Sequence, residues 1–425
     1  MTWRAEAISK CGLWLKTYSH LNWALLDQAM LSGVNFLTAV LVARYLGVDE
    51  FGRFAIGWLC VLLFVGLHGA FVVSPMMSIG AKQAEDETPA YLGAVIVQQI
   101  ACAAAAFVLL LAGVWLLGDL FPDWRIKALA LPIAAATVAY QFQEFVRRFR
   151  FLRGAGASAF TNDALRYGGQ IVALFFAFRW TEMDAANVFW IIAAMAALAG
   201  LAGLFAVKPI EIRGDVLRAV LARHWQFSKW LAASVAATWV SRNLFFGAAG
   251  ALLGTAAVGG MHATYTLLGI THIMFFGLTN IIPTNAARRV HAGGVRALRP
   301  YIARVAALVA AATAAIVAVI CLWPAFWLEL AMGAEYTPYA WLLLIWGGFY
   351  LVTSLQLPLE SGLKALETTR AIFFADLARA VFGLAAAYPL VQHFGLAGAV
   401  GGVVAVACLR TGILLVVLLR HLSRA

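Results

Sequence analysis

Apolar runs of about 20 residues recur from Asn22 almost to the last residue of this 425-residue chain, and that is the length a helix needs to cross a bilayer. With 63% hydrophobic and only 12% charged residues, the composition lies far from that of a soluble domain. The expected fold is all-α integral membrane, with about twelve transmembrane helices. The runs fall at residues 22–46, 53–79, 91–117, 128–149, 160–180, 185–207, 228–252, 257–283, 304–328, 338–358, 370–391 and 396–420.

A formal charge of +11 would point to nucleic acid in a soluble protein, but in a membrane protein the position of each cation carries the information. With sides alternating at each span, about 22 of the 31 basic residues fall on one side, including Arg147, Arg148, Arg150 and Arg153 in one connection and Arg288, Arg289, Arg296 and Arg299 in another. That bias predicts cytoplasmic N- and C-termini. The connections on the other face are short. The long basic stretch "KPIEIRGDVLRAVLARHWQFSK" (Lys208 to Lys229) reads as an amphipathic linker at the membrane surface. The expected organisation is a cytoplasmic or interfacial N-terminus (1–21), an N-lobe of six helices (22–207), the cytoplasmic linker (208–229), a C-lobe of six helices (228–420) and a cytoplasmic tail (421–425).

Five cysteines, odd in number and without metal-ligand spacing, read as packing residues. The first 20 residues carry positive charge but no short apolar core or A-x-A site, so no cleaved signal peptide is expected. No P-loop, G-x-S-x-G or H-E-x-x-H is present, so neither ATP hydrolysis nor catalysis is expected. No cofactor, metal or nucleic-acid partner is expected either.

Internal repeats organise the chain further. "LGVDEFG" (Leu46 to Gly52) and "LGTAAVG" (Leu253 to Gly259) share the form L-G-x3-[FV]-G, each closing the first hairpin of its half, and each following helix is expected to end in proline, at Pro75 and Pro283. At an offset of 213 residues, Asp163 and Arg166 match Asp376 and Arg379, while Gln143 matches Gln356. Six helices per half with both ends on one side make this a parallel repeat, about an axis along the membrane normal. Duplicated bundles of this kind suit alternating access.

The segments "DQAMLSGVNFLTAVLVARYLGVDEFGRFA" (Asp27 to Ala55) and "MGAEYTPYAWLLLIW" (Met332 to Trp346), with the two-lobed layout, resemble the polysaccharide transporter branch of the multidrug/oligosaccharidyl-lipid/polysaccharide exporter superfamily, the Wzx-type O-antigen flippases. The resemblance covers essentially the whole chain. It implies translocation of a polyprenyl-diphosphate-linked oligosaccharide across the bacterial inner (plasma) membrane for O-antigen, lipopolysaccharide or exopolysaccharide biosynthesis. The implied partners are that glycan lipid, membrane lipids and polysaccharide polymerase machinery.

Such a transporter needs cationic donors for the phosphates and polar groups for the sugars. Arg242, mid-span with no acid nearby in sequence, is the first candidate for a phosphate contact, with Asn35 at the matching level of the other half. The alternative for Arg242 is an ion pair that locks the halves. Arg410 lies in the last span and either lines a cavity or makes an interhelix bond. Arg166 and Arg379 are candidate substrate contacts, and Asp163 and Asp376 candidate gating residues: crossed ion pairs, a basic portal for diphosphate, or local i,i+3 pairs. Asp27 is a candidate coupling or inter-lobe residue, and Arg44 a candidate outer gate or a snorkelling cation. His68 and His272 read as satisfied buried histidines.

Within spans, four arginines (166, 242, 379, 410) stand against three aspartates (27, 163, 376), which leans toward an anionic substrate. The alternative reading is a cation-coupled multidrug or toxic-compound exporter of the same superfamily. A membrane polysaccharide polymerase is disfavoured, because such enzymes need a sizeable outer loop and none here exceeds about ten residues.

Overall fold

The computed structural model describes residues 19–84, 86–204, 210–279 and 281–423, leaving aside the side chains of residues 19–29, 81, 273, 276, 277 and 369. Every regular element among them is helical: α1 Ser19–His68, α2 Ser74–Ile79, α3 Thr88–Leu120, α4 Ala130–Leu152, α5 Gly156–Asp163, α6 Gly169–Trp180, α7 Ala185–Leu204, α8 Gly214–Leu253, α9 Thr255–Leu268, α10 Thr271–Leu278, α11 Ile281–Leu322, α12 Pro324–Met332, α13 Leu342–Ser354, α14 Gln356–Ala365 and α15 Thr369–Ser423. Single π turns, Gly69–Val73 and Ala164–Gly168, follow α1 and α5.

Among the described residues six helical runs are long and apolar enough, by length and composition, to cross a membrane, and the chain is a multi-pass membrane protein. Several of these runs are helices joined across glycine. α1 breaks at Gly47 and α15 at Gly395, while α11 breaks at Gly293 and Gly294. Other predicted spans fall short for local reasons. The span at 257–283 is divided between α9 and α10 at Gly269–Ile270, and the one at 304–328 ends at Leu322 because Trp323 leaves the helical region and Pro324 starts α12.

Contacts group the chain into two compact units. The first contains the described residues up to Thr38, with 60–117 and 127–236. Its core joins Val72, Met76 and Ile79 to Tyr91, Leu92 and Val95 of α3, Phe145, Val146 and Phe149 of α4, and Val220 of α8. α4 and α7 approach closely because α7 offers small residues. A Cβ on Gly200 would lie 2.4 Å from the Phe142 ring, and one on Gly203 2.3 Å from Val146, the small-residue packing expected where helices associate in lipid.

The segment predicted as a separate linker is helical from Gly214 and continues without a break to Leu253. Its first part belongs to the first unit. Glu211 N–H donates to the Pro89 carbonyl at 3.0 Å, and the buried His224 ring bonds Gln98 Oε1 through Nδ1 at 2.7 Å and the Tyr91 hydroxyl through Nε2 at 3.0 Å. The linker is therefore docked on α3. Of the predicted segments 1–21 and 208–229, residues 1–18, 208 and 209 lie outside the described residues.

The second unit holds 39–59, 118–126 and the chain from Ala237 onward. Leu298 and Ile302 of α11, Leu359 and Leu363 of α14, and Ala375, Leu414 and Leu418 of α15 form one buried cluster. The turn around Gly47 packs on the C-terminal residues. Val48 N–H donates to Glu335 Oε2 at 3.2 Å, Tyr336 Oη to the Ala43 carbonyl at 3.0 Å, and Thr255 Oγ1 bonds Asp49. The two prolines of the repeat do not behave alike. Pro75 lies at the start of α2, which carries the helix past the π turn to Ile79, whereas Pro283 enters α11 just after α10 ends at Leu278. Proline is tolerated in a first turn, where its missing N–H is not needed, so Pro75 does not terminate its helix.

Candidate functional site: two polar centres

Each half of the repeat carries one charged cluster in a region otherwise made of apolar helix. In the first unit, α4 supplies Gln143, Glu144 and Arg147, the first two lying four and three residues before the arginine and so on its side of the helix. Arg147 Nε lies 2.5 Å from Asp163 Oδ2, and its Nη1 lies 2.9 Å from Glu144 Oε2. Arg148 holds the same Glu144 at 2.6 Å. The Gln143 amide nitrogen donates to Asp163 Oδ1 at 2.6 Å and to Asn162 Oδ1 at 3.0 Å, while its oxygen accepts from Arg166 Nη1 at 2.5 Å.

Arg166 sits in the π turn Ala164–Gly168, an insertion that redirects side chains and recurs at functional positions. Its guanidinium carbon lies 3.7 Å from the Tyr140 ring centre and 4.4 Å from that of Tyr167, a cation–π sandwich. Its Nε has no hydrogen-bond partner among the described residues.

In the second unit the cation comes from the other end of the half. Arg410 of α15 donates from Nε to Asp376 at 2.7 Å and from Nη1 to Gln356 at 2.8 Å, and its Nη2 lies 2.7 Å from Glu360. Gln356 donates in turn to Thr411 Oγ1 at 3.0 Å. Arg379 reaches Asp376 only at 3.6 Å, and its buried Nε is unpartnered among the described residues.

The repeated residues Gln143/Gln356, Asp163/Asp376 and Arg166/Arg379 thus lie in matching clusters, but Asp163 takes its close ion pair from Arg147 of α4, and Asp376 from Arg410, beyond the Gly395 break of α15. The same 213-residue offset relates Arg147 to Glu360. The charge is inverted there, and the missing cation is supplied by Arg410. The sequence reading counted Arg147 among the basic residues of a connection, at the end of the predicted span 128–149; it is buried in α4, held there because Asp163 and Glu144 compensate its charge.

Arg242 is exposed on α8, and its charge acts on Tyr265, His272 and Arg379. His272 is exposed at the start of α10, just past the interruption at Gly269–Ile270. Its Nδ1 lies 3.3 Å from the Tyr350 hydroxyl, and its ring meets Tyr265 edge-on at 6.1 Å. The sequence reading took His272 for a satisfied buried histidine, which its exposed position corrects, and it passed over Tyr265; the mid-span Arg242 with no acid nearby in sequence was the available signal. Of the other candidates, Asn35 is exposed on α1, and Arg44 Nη1 donates to the Leu330 carbonyl at 2.8 Å. The Asp27 side chain lies outside the described residues.

The fold is that of transporters of the MOP superfamily. A multidrug resistance MATE family transporter of that superfamily, in an inward-facing conformation, aligns over 92% of this chain and 94% of its own with a TM-score of 0.73 and 14% identity. The lipid II flippase MurJ, in an inward closed conformation, aligns over 93% and 87% with a TM-score of 0.65 and 11% identity. A MOP superfamily transporter from Pyrococcus furiosus Vc1 (DSM3638) aligns over 94% and 93% with a TM-score of 0.57 and 12% identity. No protein-family model and no curated protein matches the sequence.

Proposed function

We propose that the chain is a flippase for polyprenyl-diphosphate-linked oligosaccharide, working by alternating access in the bacterial inner membrane with both termini in the cytoplasm. The observation that carries this reading is the charge balance around Arg242. Arg242, Arg379 and Arg410 stand against Asp376 and Glu360, and Arg410 is taken up by both acids. That leaves Arg242 exposed and Arg379 weakly held, so the surplus is cationic. Placing an arginine mid-span costs about 2.5–3.5 kcal/mol on insertion scales, a cost that a bound diphosphate offsets through charge-assisted hydrogen bonds. The first centre adds to it, with Arg147, Arg148 and Arg166 against Glu144 and Asp163.

The flippase among the structural neighbours is named for lipid II, which supports a lipid-linked substrate. The higher similarity to a MATE family transporter favours the second reading, a multidrug exporter. Transport of fluorescent polyprenyl-diphosphate glycans in proteoliposomes separates the two. The first reading expects flipping by the wild type and its loss in Arg242→Ala; efflux of cationic drugs without glycan flipping would establish the second.

A further inference from the structure

Three buried polar side chains where α1, α3 and α4 meet have atoms left without partners. His68, Gln99 and Gln141 are 2%, 4% and 1% exposed. His68 Nε2 and Gln99 Oε1 are hydrogen-bonded at 2.5 Å, and Gln141 Nε2 donates to the Phe64 carbonyl at 3.0 Å. Phe64 is one turn before His68, so the Gln141 amide binds α1 one turn from the residue that carries the imidazole. His68 Nδ1, Gln99 Nε2 and Gln141 Oε1 then have no partner among the described residues.

We propose that these residues enclose a binding site for one water molecule. The argument is a count of donors and acceptors. With Gln99 Oε1 accepting from His68 Nε2–H, the unfilled groups are two acceptors, Nδ1 and Gln141 Oε1, and one donor, Gln99 Nε2. With the Gln99 amide turned over and the other histidine tautomer, they are one donor, Nδ1–H, and two acceptors, Gln99 Oε1 and Gln141 Oε1. A water molecule, giving two hydrogens and accepting one, complements either set. A metal cation is excluded by the inward donor, and an anion by the two acceptors.

The main chain is prepared for it. His68 is followed directly by the π turn Gly69–Val73, and the Phe71 carbonyl of that turn accepts from Gln98 Nε2 at 2.9 Å. Buried groups of this kind are rarely left empty, and internal waters making about three hydrogen bonds are the usual remedy. The water would tie three helices of the first unit at the point where α1 loses its regular ladder.

The test is a water-resolving cryo-EM map of the full-length protein in nanodiscs. A density peak within about 2.7–3.2 Å of all three groups is expected in the wild type and absent in His68→Phe. A wild-type map with the three groups bonded directly to one another and no peak overturns the proposal. Thermal unfolding gives an independent reading. His68→Phe and Gln141→Leu each evict the same water, so the double variant is expected to lose no more midpoint temperature than the worse single one; additive losses would overturn it.

Discussion

Gly52 and Gly259, equivalent residues of the repeated L-G-x3-[FV]-G motif, pack against each other's helices reciprocally. A Cβ on Gly52 would lie 1.8 Å from the Thr255 carbonyl oxygen, and one on Gly259 would lie 2.0 Å from that of Val48. Val48 and Thr255 are themselves equivalent in the motif, so each glycine meets the same position of the other copy. Each glycine also sees the other's backbone nitrogen at 3.1 Å from its Cβ position.

Because the obstructing atoms are backbone, no rotamer change relieves them. Gly52→Ala and Gly259→Ala are each expected to destabilise the protein by about 3 kcal/mol, at the upper end for overpacking, read as a lowered thermal midpoint in detergent. An unchanged midpoint in both would show that this crossing is not part of the stable fold.

The two charged centres are expected to respond unequally to loss of their cation. Arg147→Leu takes the close cation from Asp163, whose side chain is 1% exposed and which keeps the Gln143 amide, while Glu144, 12% exposed, keeps Arg148; loss of the cation from so buried a pair costs about 3–5 kcal/mol. Arg410→Leu leaves Asp376, 41% exposed, near Arg379, and Glu360, 21% exposed, beside Lys364, so the acids keep a cation each and the expected loss is about half as large or less. Chemical unfolding of both variants checks the order, and a larger loss for Arg410→Leu contradicts it.

Arg242→Ala separates function from stability. An exposed side chain is expected to change stability by no more than about 0.5 kcal/mol, whereas loss of a charged phosphate contact worth about 1.5–3 kcal/mol lowers transport roughly 10- to 100-fold. Equal transport rates for the two proteins in proteoliposomes would remove Arg242 from the substrate path.

His224 gives a pH signature outside the predicted spans. Burial, with the neighbouring Arg223 charge, lowers its pKa from 6.5 to about 4. A depressed histidine favours the folded state fully above pH 6.5, and the benefit is lost as pH falls from there toward 4, because the unfolded chain takes up the proton first. His224→Gln removes this titration. The wild-type midpoint is expected to drop more steeply than the variant's between pH 6.5 and 4, and parallel curves would count against the buried neutral imidazole.

Much of the helical layout was legible because length and hydropathy act locally. The predicted limits 91–117 and 185–207 lie close to α3 and α7, and the Gly47 and Gly254 turns follow from residues that alone tolerate such backbone angles. The charged centres were half legible. The repeat identified Gln143, Asp163, Arg166 and their counterparts, but which cation meets which acid depends on how neighbouring helical segments pack. Arg147 looked like a loop charge because a run of arginines is the usual mark of a cytoplasmic connection, and only packing shows it turned inward. The interruption at Gly269–Ile270 left no mark either, since a glycine in an apolar run reads equally as helix packing.

The two hairpin turns differ in what keeps them glycine. Gly47 and Gly254 share nearly the same backbone, φ 78°, ψ 174° and φ 87°, ψ 177°, a mirror image of ordinary extended chain. At Gly254 no atom lies within 4 Å of where an L-residue's Cβ would sit, while at Gly47 the Glu335 carboxylate is 2.8 Å from it. Backbone handedness rather than a side-chain clash therefore keeps the second turn glycine, since these angles belong to a D-residue's extended chain.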